Sequence, residues 1–136
     1  MTRIPTIAKR AAPLLASAAL LLSPAAAFAA GAHAEIVTAA THAGFASKAD
    51  TVKMVHSHLH HTLNCLVGPK GADFDAAELN PCVHSGSGAI PDTADAATRT
   101  ALEAAAAEAE RGLKDDGLAS SQAIAIKVEA MLKAIK

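Results

Sequence analysis

Tryptophan and tyrosine are absent from this chain, and phenylalanine occurs only three times, at Phe28, Phe45 and Phe74. With a formal charge of −1, that shortage excludes the basic, aromatic-studded surface a nucleic-acid partner needs. No G-x-S-x-G, H-E-x-x-H or P-loop pattern is present, so no enzymatic activity is expected. There are only two cysteines, Cys65 and Cys82, and no C-x-x-C-H attachment for a haem. An axial histidine would also want aromatic pocket walls that this chain largely lacks.

Apolar runs are equally scarce beyond the N-terminus. The first one, Ala11 to Phe28, follows Arg3, Lys9 and Arg10 and ends in Ala27-Phe28-Ala29. A basic start, an apolar centre and an A-x-A site read as a signal peptide over residues 1–29. Pro13, Pro24 and the many alanines favour cleavage over retention as a membrane anchor. Cleavage removes three basic residues and no acidic one, which takes the charge from −1 to −4. The remaining chain, residues 30–136, is expected to be one periplasmic or secreted domain with no membrane partner, since no later run approaches the ~20 apolar residues of a spanning helix.

Histidine is what the chain has in quantity. All seven lie between His33 and His84, and four of the six residues from His56 to His61 are histidine. Val52, Val55, Leu59, Leu63 and Leu66 recur at three- and four-residue spacing, the buried stripe of a helix over about 49–66 capped by Ser47 or Asp50. On that helix His56 and His60 stand one turn apart, as do His58 and His61. Imidazole suits Cu²⁺, Zn²⁺ and Ni²⁺, and His42, His84, His33 or the carboxylates of Glu35, Asp73 and Asp75 can complete either pair. Glutamate, lysine or glutamine would serve a merely solvated face better, because histidine is a poorer helix former.

In an exported chain Cys65 and Cys82 are expected to form a disulfide. Two alternatives stay open at this level. Met54, His58, His61 and Cys65 form a second stripe that fits soft Cu(I), and His61, Cys65, Cys82 and His84 form a Cys2His2 set whose last gap is tight for zinc.

Around this helix, residues 30–48 read as an irregular or briefly helical arm, weakened by Thr38, Thr41, Gly44 and Ser47. Residues 67–92 read as a long loop broken by Gly68-Pro69, Gly71, Asn80-Pro81, Gly86 and Gly88. A helical hairpin over 93–135 follows, capped by Asp92 or Thr93 and turning at Lys114-Asp115-Asp116-Gly117. The expected fold is all-α, a small three- or four-helix bundle with a disulfide-stapled loop.

Short, exported, helical, alanine-rich and histidine-loaded, the chain resembles the small periplasmic metal-binding proteins of bacteria. The resemblance is one of plan and composition. Asn64-Cys65-Leu66-Val67-Gly68-Pro69, Asn80-Pro81-Cys82 and Gly88-Ala89-Ile90-Pro91-Asp92 also resemble small exported bacterial proteins of no assigned activity. The first likeness implies binding of divalent transition metals, copper especially. The expected function is therefore binding of Cu, Zn or Ni through His56, His58, His60, His61, His42 and His84. The alternative is a metal-free interaction or stress module with a pH-sensitive histidine surface.

Overall fold

The computed structural model describes residues 24–135. The leader expected over 1–29 lies outside them, save for its last residues, which begin the first helix. Five helices are present: α1 (Pro24–Ala46), α2 (Val52–Val67), α3 (Ala89–Asp92), α4 (Ala96–Leu113) and α5 (Leu118–Ala134). Among the described residues there is no strand, and no helix is long and apolar enough to cross a membrane.

The expected arm is instead most of a continuous helix. Alanine, the strongest helix former, fills α1. Thr38 and Thr41 donate their hydroxyls to the Ala34 and Val37 carbonyls at 2.9 Å, so neither competes for the helical backbone. Gly44 sits where a Cβ would come within 2.9 Å of the Glu129 carboxylate on α5. It marks close packing, not a break. Ile36, Ala39, Ala40, Ala43 and Ala46 are buried, whereas Val37 and Phe45 are half exposed.

Helix α2 starts at Val52, capped by Thr51, whose hydroxyl accepts from the Met54 N–H at 3.2 Å. Of the expected stripe Val55, Leu59, Leu63 and Leu66 are buried, and Val52, in the first turn, is partly exposed. The cap of α4 is Asp95, which accepts from the Thr98 N–H at 2.7 Å. Asp92, one of the two expected caps, is buried in α3 instead. Leu102, Ala105, Ala106 and Ala109 of α4 meet Ile124, Val128 and Leu132 of α5 in one core. The hairpin is antiparallel, with Glu108 opposite Lys127 at 3.2 Å. Arg99 donates to the Thr93 carbonyl at 2.6 Å.

Helix α1 packs on α2 and α5, and α4 packs on α5 and α2, so the four long helices close a ring. Large side chains are few, and alanine at the helix contacts lets the backbones approach. The loop from Gly68 to Gly88 is fastened at its base by the Cys65–Cys82 disulfide, with Cα atoms 5.2 Å apart. Gly68 (φ 68°) passes the 87–88 backbone so closely that a Cβ there would fall 1.7 Å from the Ser87 carbonyl oxygen.

Candidate metal centre

Helical spacing places His58 and His61 one turn apart on α2, and α1 crosses in front of them. The crossing is fixed by Thr62, whose buried hydroxyl is shared between the His58 carbonyl at 3.0 Å and the Ala39 carbonyl of α1 at 3.2 Å. One turn beyond Ala39, His42 comes down onto the pair. Ring centroids are 5.1 Å apart for His42 and His61, 5.5 Å for His58 and His61 and 5.7 Å for His42 and His58. One nitrogen from each of the three rings lies within 4.8 Å of the other two, close enough to hold a metal ion. Nitrogens on a tetrahedral ion with bonds of about 2.0–2.1 Å stand about 3.4 Å apart. Small side-chain rotations close that difference.

The electrostatics favour neutral rings. Burial, and then the neighbouring His61 and His58, push the His42 pKa down to about 4. Burial and His61 also lower that of His58. An unprotonated imidazole keeps the lone pair that a metal needs. The Nδ1 atoms of His42, His58 and His61 are all buried without a hydrogen-bond partner. Such groups are rare in folded proteins, and an ion is one way to satisfy them. The half-exposed Phe45 covers the cluster, its ring 5.5 Å from both His42 and His58.

Two carboxylates of the loop stand beside the α2 histidines. Glu78 Oε2 is 3.4 Å from His61 Nε2 and accepts from the Ser57 hydroxyl at 3.0 Å. Asp75 Oδ2 is 3.5 Å from His60 Nδ1. Both are placed by Asn64, buried on α2. Its amide donates to the Asp75 and Leu79 carbonyls at 2.9 and 3.2 Å and accepts from the Asp75 N–H at 2.9 Å.

The remaining sequence candidates go elsewhere. His56 donates from Nε2 to the Asp115 carbonyl at 2.9 Å, in the turn between α4 and α5. It therefore serves the hairpin and does not meet His60. His60 faces Asp75 without a third ligand, and His84 and His33 are exposed, outside the cluster. Cys65 is in the disulfide and Met54 is half exposed. That removes both the soft-metal stripe and the Cys2His2 set. Ser57, Thr62, Asn64 and Glu78 were not singled out from sequence; for Glu78 the only available signal was an acidic residue in a loop tied back to the histidine helix.

Comparison with known proteins yields no match, whether to family models, to curated proteins or to solved structures. The site therefore speaks through its own geometry.

Proposed function

We propose that this chain is an exported binding protein for a divalent transition metal ion (copper, zinc or nickel), held by His42, His58 and His61. The observation that carries the reading is the convergence of three partly buried imidazoles from two helices, each with a buried Nδ1 that has no hydrogen-bond partner. Three neutral nitrogens suit these borderline ions better than calcium or magnesium, which prefer oxygen. Export is supported by the leader-like N-terminus and by the disulfide, a bond that persists in oxidising compartments. The role is binding without turnover.

Titration calorimetry of the oxidised protein with Zn²⁺, Cu²⁺ and Ni²⁺ tests this, alongside the variant combining His42→Ala, His58→Ala and His61→Ala. The wild type should bind one ion at this site, and free metal at a hundred times Kd should stabilise it by about 2.7 kcal/mol. The triple variant should lose both effects. Equal binding by the two proteins would refute the assignment.

A further inference from the structure

Among the described residues, Glu78 is the carboxylate that stands against a ring of the three-histidine cluster. Its Oε2 lies 3.4 Å from His61 Nε2, while His61 Nδ1 is buried and has no partner. A neutral imidazole carries its proton on one nitrogen only. A carboxylate beside Nε2 favours the proton there and leaves the Nδ1 lone pair free for an ion. The Ser57 hydroxyl donates to the same oxygen at 3.0 Å and fixes the carboxylate in turn.

Glu78 reaches this place through the loop and not through a helix. The Glu78 N–H donates to the Asp75 carbonyl at 3.3 Å, closing a turn. Asn64 grips that turn on both sides, at Asp75 and at Leu79. Cys65, next to Asn64, closes the same loop to Cys82. With the disulfide open, the turn would be held to α2 by the Asn64 hydrogen bonds and the side-chain contacts of Ser57, His60 and His61, without a covalent tie.

We propose that Glu78 is a positioning residue for the metal centre, holding His61 as its Nε2–H tautomer, and that the closed Cys65–Cys82 loop is what delivers it. Full metal affinity then requires the oxidised chain. The inference rests on the function proposed above and assigns that site its regulation.

The test uses Zn²⁺ calorimetry together with the imidazole ¹⁵N shifts of His61, read in metal-free protein. In the oxidised wild type His61 should be the Nε2–H tautomer. Glu78→Ala should mix the tautomers and weaken Zn²⁺ binding about 10–100-fold, and Glu78→Gln, which keeps an acceptor, should recover part of the loss. Cys65→Ser combined with Cys82→Ser, which opens the loop without adding thiol ligands, should bind as weakly as Glu78→Ala, and adding Glu78→Ala to it should change little. Zn²⁺ affinity within twofold of wild type in Glu78→Ala, with the tautomer unchanged, would overturn the proposal. So would a Cys65→Ser, Cys82→Ser protein that binds as tightly as the oxidised wild type. If the cysteine variant does not fold, Glu78→Ala in oxidised protein decides alone. Absence of Zn²⁺ binding by the wild type would instead sink the metal assignment, and the metal-free tautomer would still report on Glu78.

Discussion

Asn64 and Asp75 bond to each other twice, the Asn64 amide donating to the Asp75 carbonyl and accepting from the Asp75 N–H, both at 2.9 Å. The pair does for the loop what one rung of a sheet ladder would do, from a side chain that is 1% exposed. It puts Asp75 and Glu78 against the histidine helix, so a buried amide in the stapled region shapes the surroundings of the candidate metal centre.

Asn64→Ala should therefore cost more than a surface change. It leaves the Asp75 N–H and the Leu79 carbonyl without their partners and takes from the Asp75 carbonyl one of its two donors, at about 1–3 kcal/mol for a buried group. Urea unfolding should show that loss. Proteolysis in the native state should become faster between residues 68 and 81, with the helices still protected.

Two groups, buried Glu35 and half-buried His42, contribute pH dependences of opposite sign to stability. Glu35 is fully buried; its Oε1 accepts from the Gly88 N–H at 2.8 Å, and Oε2 has no partner. Burial raises its pKa to about 7, the Gly88 hydrogen bond opposes that rise, and the Asp92 charge adds to it. A carboxyl raised in the folded state contributes stability that is full below its ordinary pKa of 4.5 and is lost as pH rises through about 7. That loss is of order 2–3 kcal/mol. His42, lowered to about 4, contributes stability present above 6.5 and lost as pH falls through 4. Between about pH 4.5 and 6.5 the two oppose each other. Melting temperatures of metal-free protein should show it: Glu35→Gln should lose stability on acidification through that window, and His42→Gln should gain it. Parallel curves for the two variants would refute the account.

Two glycines should respond in opposite ways to alanine. Gly68→Ala forces a Cβ onto the Ser87 carbonyl at a φ of 68°; with backbone strain of ~1–3 kcal/mol added to the clash, a loss of at least ~2 kcal/mol is expected. At Gly44 the Cβ would meet only the end of the Glu129 side chain, which can swing away at the expense of its contact with Lys133. The helix interior gains up to ~1 kcal/mol from alanine, so Gly44→Ala should be neutral or mildly stabilising. Denaturant midpoints of both variants check the contrast.

The histidines of α2 should separate by role. His56→Ala loses the bond to the Asp115 carbonyl and about 1 kcal/mol of stability, with Zn²⁺ affinity unchanged. His58→Ala should abolish Zn²⁺ binding with the fold retained. Calorimetry and thermal melts on both variants distinguish these outcomes, and equal loss of metal binding in the two would mean that the cluster is drawn too narrowly.

Some of this was legible one residue at a time. The apolar stripe of α2 and the His58–His61 pair follow from 3.6 residues per turn, and the disulfide follows from there being just two cysteines to pair. The fate of the other histidines was not legible. His56 and His58 fall on different faces of a helical wheel, but nothing there shows that the Asp115 carbonyl, 59 residues away, waits for the first. The threonines and glycine of α1 weaken a helix in isolation, yet α1 runs through them because it packs on α2 and α5. Glu35 gives no local sign of burial.

By itself, then, the amino-acid order determined the helical character, the face that α2 buries, the one-turn histidine pair and the cross-link, because each depends on local periodicity or on a single pair of residues. Only the tertiary structure decided that His42 is the third ring, that Glu78 stands behind His61, and that His60 and His84 remain outside. Those outcomes depend on how α1 crosses α2 and on where a loop tied at Asn64 and Cys65 comes to rest. Register and crossing are set by contacts distant in sequence, among them Thr62 with Ala39, which no periodicity encodes.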